Sequence, residues 1–477
     1  MSLSTWVEPA NPPSLARSIE LERWSSPLRM RTHGAHEMID GPGFAGQPMR
    51  SPPLHPHYGA ASVADITCEE GEYPMNSWHL RDLTAATGAP PGDGQVAGYV
   101  FAAQGTQHIV YRHGATASIH ELWWDADGWH HNDLTAAAGA PGSLNDGPAG
   151  YVFDAQGTQH VLYTGFDLHV HELWWDADGW HHNDLTADTG APLVGSRPVG
   201  YAFNAQGTQH VIYQSDSDGH VQELWWDING WHHNDLTVVT GAVSAGSEPV
   251  GYVFEAQGTQ HVIYQGYDDG GYIHELWWDT DGWHHNNLSA ATGAPMCLSD
   301  PAAYMFAAQG TQHVVYVAGE DAYHIQGLHE LWWDTHGWHH NDLNAAAGAP
   351  PPAGDDPFGY VFAAQGTQHV VYPGQENPNR IHELWWDTNG WHHNDLTAAA
   401  GAPPVDGLVG NTLAGYAFDA QDTQHVVYIG GLVGPNGPDE NPVYELWWGC
   451  AVPDETASGR LLQRETVGQL TEESERY

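Results

Sequence analysis

Between Gly98 and Tyr111 the chain reads GYVFAAQGTQHIVY, two short runs of aromatic and β-branched residues joined by a small polar turn. Runs of this kind predict a pair of antiparallel strands. A second pair follows. In IHELWWD, which ends at Asp125, side chains alternate across a strand. Glu121, Trp123 and Asp125 therefore share one face, and His120, Leu122 and Trp124 share the other. GWHHNDL then runs from Gly128 to Leu134, and the Asp-Ala-Asp-Gly turn before it offers Gly128 for a positive φ.

The whole pattern recurs. Copies of the first segment start at Gly98, Gly150, Gly200, Gly251, Ala303, Gly359 and Gly415. Copies of HELWWD start at His120, His171, Gln222, His274, His329, His382 and Tyr444. WHHNDLT starts at Trp129, Trp180, Trp231, Trp283, Trp338 and Trp391, and a divergent copy, WHLRDLT, starts at Trp78. Four strands per repeat, seven times, with a period of about 50 residues, predict an all-β fold: a seven-bladed β-propeller of four-stranded blades.

The order of the copies predicts how the ring closes. The chain enters the repeats at a fourth-strand copy (Trp78–Thr84) and leaves after a third-strand copy (Tyr444–Trp448). Pairing these two joins an N-terminal strand to the last blade and removes an open edge. Three regions result: a non-repeating, irregular segment 1–75, the propeller 76–449, and a polar tail 450–477 in which LLQRETVGQLTEESERY reads as a short helix. Cys68 and Cys450 flank the seam, and an oxidising compartment would let them bridge; two unrelated thiols are the alternative.

Composition narrows the function. The formal net charge is −47, with 59 Asp and Glu against 12 basic residues, all Arg. Such a surface repels phosphate backbones and anionic lipid, which argues against nucleic acid as a partner. No window is long and apolar enough for a membrane span, and Met1–Trp24 lacks the layout of a signal peptide. Three Cys make no disulfide framework.

The 23 Trp offer apolar faces with a polar N–H, suited either to packing blades together or to stacking on a ligand. The histidines of TQHVVY (His108, His160, His210, His261, His313, His369 and His425) either contact ligand or hold blades together by bonding Asp133 and its equivalents. Adjacent His130 and His131 point to opposite faces and cannot share an ion, so no metal or other cofactor is expected. No nucleophile elbow, phosphate loop or zinc-protease motif is present, so no catalytic residue is assigned and an enzyme is not expected.

From roughly Trp78 to Trp448 the repeat resembles the fucose-binding propeller lectins of fungi and their bacterial relatives, seven-bladed ones included. The likeness lies in the four-strand blade, the V-x-Y strand, and the following I-x-E with Trp and G-W. It implies sugar sites in grooves between blades, with an Arg and a Glu on the hydroxyls and aromatics lining the pocket. Glu121, Glu172, Glu223, Glu275, Glu330, Glu383 and Glu445 match the family's Glu, whereas the TQHVVY His stands where that family has Arg. With these Glu and His, the ligand-binding set includes Trp123, Trp174, Trp225, Trp277, Trp332, Trp385 and Trp447.

The expected function is a multivalent lectin whose partners are glycans, fucosylated or related. A protein-interaction or structural scaffold is the alternative, and the oligomeric state is left open. The missing signal-peptide layout leaves the cytoplasm open, along with release by another route, so the localisation is not fixed by the residues; the resemblance implies a place outside the cell or at its surface. The 34 His suggest one test. Between roughly pH 7 and 5 their protonation offsets much of the −47, so self-association rises on acidification. Light scattering that stays flat across that range would sink this expectation.

Overall fold

The computed structural model describes residues 76–449, apart from 145–146, 321–323, 377, 404, 406–412 and 431–440. The proposed Cys68–Cys450 pair and the tail helix lie outside the described residues.

Seven antiparallel sheets form the blades. In the second blade the strands run Ala149–Phe153, Thr158–Thr164, Val170–Asp176 and Gly179–Asp184, paired in sequence order. The first strands of all seven blades adjoin one another in cyclic order, so they form the inner ring and the fourth strands lie outermost. The fifth blade adds a two-residue strand, Met296–Cys297, beside its second strand.

The seam closes as the strand order predicts. Ser77–Asp82 pairs antiparallel with Val443–Gly449, from Ser77 opposite Gly449 to Asp82 opposite Tyr444, as the outer strand of the seventh blade.

Blade packing repeats one device. The first-strand Tyr of each blade reaches the second-strand Gln of the next. Tyr99 donates to Gln159, Tyr151 to Gln209, and so on to Tyr416, which donates across the seam to Gln107, at 2.8–3.2 Å throughout. Both groups are buried, and burial holds these phenols well above their usual pKa. The glycine that opens each GYVF copy is explained by the same contact. A Cβ on Gly200 would stand 2.3 Å from the Tyr151 ring, so the ring of one blade lies flat on the backbone of the next. Only the fifth blade has Ala303 instead.

A second tyrosine, near the end of each second strand, ties down the segment entering its blade: Tyr163 donates to the Pro141 carbonyl at 2.9 Å, five equivalents donate to a proline carbonyl likewise, and Tyr264 donates to that of Val243. Phe101, Phe153, Phe254, Phe306, Phe362 and Phe418 meet the second Trp of the following blade edge-on, at 5.8–6.4 Å between ring centres.

One element adds to the four strands read from each repeat. The stretch after WHHND is not a plain connection, because Leu134–Ala138 and its six equivalents are five-residue helices. Asp184 caps its helix by accepting from the Ala187 N–H at 2.9 Å, and Gly190 ends it at φ 68°. Asn287 does the same capping in the fifth copy. Asp133 is thus a helix cap and not the partner of the TQHVVY histidine.

Replacing Tyr201 with Phe keeps the packing and leaves the buried Gln260 oxygen without its donor. We expect a loss of about 1–3 kcal/mol in equilibrium denaturation, against little change for a substitution on the exposed Ile228. Equal stability of Tyr201→Phe and the parent chain would show that this bond is not what couples the blades.

Candidate functional site

Each blade presents two faces. In the second blade, Tyr151, His160, Glu172, Trp174, Asp176, His181 and Asn183 lie on the face turned toward the third blade, as the register and the Tyr151–Gln209 bond require. The opposite face carries Gln159, Val161, Tyr163, Leu173, Trp175 and Trp180. A groove between two blades is therefore lined by the Glu–Trp face of one and the second Trp of the next.

The structure brings the predicted His, Glu and Trp of each blade together on that one face, but at different depths. The seven TQHVVY histidines are 3–4% exposed and the seven glutamates 0–3%. Each pair is bonded internally: His Nδ1 lies 2.8–2.9 Å from Glu Oε1, and His Nε2 lies 2.7–2.9 Å from the Thr hydroxyl two residues before it. The imidazole also stacks on the first-strand Tyr of its own blade, at 4.9–5.1 Å. In four blades the second Glu oxygen accepts from the fourth-strand Asn, as Glu172 does from Asn183 at 2.8 Å. The His–Glu pairs form the floor behind the groove.

The seven predicted Trp are half-buried and stand at its opening. Trp174 stacks on His181 at 4.1 Å, and His181 Nε2 lies 2.9 Å from Asp176. The same Trp–His–Asp arrangement stands in the first six blades, with stacking at 4.1–4.2 Å and His–Asp distances of 2.8–3.0 Å. The indole N–H groups of Trp174, Trp225, Trp277 and Trp385 are shielded from solvent and have no acceptor among the described residues.

The closing groove is different, and sequence reasoning passed it over. Arg81 stands where the other blades have Asn. Its guanidinium lies 3.3 Å from the Glu445 carboxylate and 5.9 Å from the Trp447 ring centre, and is 40% exposed. Gly449 replaces the Asp, so His79, stacked on Trp447 like its counterparts, bonds Ser77 instead. The departure of WHLRD from WHHND was the available signal.

Burial sets the electrostatics. It pushes His120 down to about 4 and lowers His131, His182, His233, His285, His329, His340 and His393. Hydrogen bonds from His181, His232, His284 and His392 hold Asp176, Asp227, Asp279 and Asp387 below the usual carboxylate range, and His339 holds Asp334 at about 2. Near the start of the sixth blade's first strand the opposite occurs: burial, with Asp300 and Glu248 close by, pushes Asp356 up to about 9.

No family model and no curated protein matches the chain. Solved structures similar to it include the SapL1 lectin in complex with alpha methyl fucoside, at 17% identity over 66% of this chain and 98% of that one, with a TM-score of 0.41. AofleA from Arthrobotrys oligospora is 16% identical over 69% of this chain and 92% of its own, with a TM-score of 0.42. A fungal lectin from Aleuria aurantia, described as a six-bladed β-propeller with a novel fucose recognition mode, is 16% identical over 64% of this chain and 96% of its own, with a TM-score of 0.39.

The pKa shifts set a stability profile. A His held low when folded favours the neutral form, so its contribution is full above its unfolded pKa near 6.5 and is lost as pH falls. The lowered aspartates lose theirs below about 3.8. The raised Asp356, with Asp355, works in the other direction. With eight histidines against two aspartates, the thermal midpoint should fall from pH 7 to 4. Differential scanning across that range checks this, and a midpoint that holds or climbs would refute it.

Proposed function

We propose that this chain is a multivalent carbohydrate-binding protein whose sites are the grooves between blades. The observation that carries the reading is the repeated groove wall: a half-buried indole backed by a stacked imidazole, with a carboxylate beside it and, in four grooves, an indole N–H lacking an acceptor. A sugar ring offers what such a wall needs. Its C–H face packs on an aromatic ring, and its hydroxyls both donate to carboxylates and accept from N–H groups. An unmet buried donor carries a cost of about 1–3 kcal/mol that a ligand oxygen would relieve. Single shallow sites bind weakly, but several on one rigid ring gain strength together on a glycan-coated surface.

In this reading Trp123, Trp174, Trp225, Trp277, Trp332, Trp385 and Trp447 meet the sugar. Glu121, Glu172, Glu223, Glu275, Glu330, Glu383 and Glu445, with their histidine partners, act from behind by fixing the floor, and any direct contact would need the groove to open. The closing groove, with its exposed Arg81, favours a different member of the glycan set from the other six.

A scaffold reading has one specific observation in its favour. Strand direction alternates within a blade, so the loops between second and third strands and the connections between blades lie at one end of the ring. Exposed Phe166, Leu193, Val238, Val239, Tyr267 and Tyr272 all belong to that end, in the second to fourth blades.

A glycan array probed with purified protein in chelator separates the two. We expect saturable binding to a related set of glycans, a change in tryptophan fluorescence on titration, and a lower stoichiometry in Trp174→Leu. A blank array from folded, monodisperse protein would move the assignment to the scaffold.

A further inference from the structure

The loop end of the second blade gathers a second set of chemically competent side chains, outside the grooves. Gly165–His169 forms the loop between second and third strands, His171 is the second residue of the third strand, and Asp184 caps the helix that follows the fourth. His171 Nε2 lies 3.1 Å from Asp167 Oδ1. His169 Nδ1 lies 3.0 and 2.9 Å from the two Asp184 oxygens and 3.8 Å from Asp167 Oδ2. One donor atom each from Asp167, His171 and Asp184 fall within 4.8 Å of one another.

We propose that Asp167, His169, His171 and Asp184 bind one divalent transition-metal ion of the zinc class. Bonds of about 2.0–2.1 Å to nitrogen and oxygen put the corners of a tetrahedron about 3.3 Å apart; the Asp167–His171 and His169–Asp184 spacings of 3.1 and 2.9 Å are of this size, the Asp167, His171 and Asp184 donors already converge within 4.8 Å, and His169 completes the set by turning in from Asp184. Two imidazoles and two carboxylates suit zinc or cobalt. Calcium and magnesium take six or more oxygens and would be poorly served.

The supports around the ligands agree. His171 is 3% exposed, and its Nδ1 lies 3.0 Å from His182 Nε2, which fixes the ring and turns Nε2 toward the cluster. The Ala187 N–H anchors Asp184, so this carboxylate is placed before any ion arrives. Gly165 passes so close that a Cβ there would come within 2.5 Å of both Asp167 Oδ1 and His171 Nε2. The net charge of −47 draws cations to such a cluster.

The sister blades show that the same frame holds positive charge. In the sixth blade Arg380 stands two residues before His382, as His169 stands before His171. Its guanidinium lies on Asp395 at 2.5 Å, while Glu376 bonds His382 at 3.1 Å. There a side chain supplies the cation. The third blade has Asp218, His220 and Asp235 but Gln222 at the strand position. The fourth has Asp269 and His274 but Tyr272 and Asn287. Among the described residues, only the second blade combines two imidazoles with two carboxylates at this position.

The test uses the full chain, stripped with chelator and titrated with Co²⁺ at pH 7.5. Tetrahedral cobalt absorbs strongly in the visible, whereas octahedral cobalt on scattered surface groups absorbs weakly. We expect strong absorption that saturates at one ion per chain and is bleached by Zn²⁺. Asp167→Asn with His169→Gln, which removes two of the four ligands, should abolish it. Both positions are partly exposed, and circular dichroism checks that the fold is kept. His220→Gln in the third blade should leave the signal intact. Weak octahedral bands only, or strong bands that survive in the double variant, would overturn the site. Because the glycan array is run in chelator, its outcome is independent of this one.

Discussion

The hydrogen bond from a first-strand tyrosine to the next blade's glutamine is the contact on which the ring depends. A single blade is a four-stranded sheet, and it can bury its two faces only against neighbours. Apolar faces slide easily. A buried phenol with one acceptor does not, because any offset leaves the glutamine oxygen unmet in a dry interior. Seven such bonds, the last from Tyr416 to Gln107, fix the stagger of every interface including the seam. The glycines beneath six of the seven tyrosine rings follow from this constraint, since a Cβ there would stand 2.2–2.5 Å from the ring; the fifth blade carries Ala303 at this position and keeps the Tyr252–Gln312 bond.

The same tyrosine determines what remains for function. Its ring stacks on the TQHVVY imidazole, and the imidazole in turn holds the glutamate, so three polar residues per blade are committed to one buried chain. Burying a charge is costly unless every atom is satisfied. Here Thr, His, Glu and, in four blades, Asn satisfy one another. The groups left toward solvent are the first Trp and its His–Asp partners.

Most of the architecture could be read from the repeat. Blade number, strand boundaries and seam follow from where the copies start and stop, because strand periodicity and turn glycines act locally. The short helices were legible too, since Asp-Leu-Thr-Ala-Ala-Ala-Gly carries a cap at each end, although the strand pattern alone does not mark them. Depth was harder. Alternation assigns Glu121 and Trp123 to one face but cannot say that the first is buried and the second half-open, because that depends on how far the neighbouring blade overlaps. Asp133 misled for a related reason: the TQHVVY histidine bonds Glu121, a diagonal neighbour on the adjacent third strand, while Asp133 lies at the end of the fourth strand and caps a helix.

Repetition and function pull against each other in such a molecule. Positions that hold the ring must recur in every copy, so recurrence alone marks scaffold and binding wall alike. Departures are more telling. Arg81 and Gly449 change one groove by two units of charge relative to its sisters while the buried Tyr416, His425 and Glu445 beneath stay as in every other blade. His169 and Arg380 change the loop ends in the same way, above an unaltered strand. A fold whose stability rests on a fully satisfied inner layer can let its outer positions drift one blade at a time. Chemistry that differs between blades therefore sits where exchanging a side chain leaves that inner layer intact.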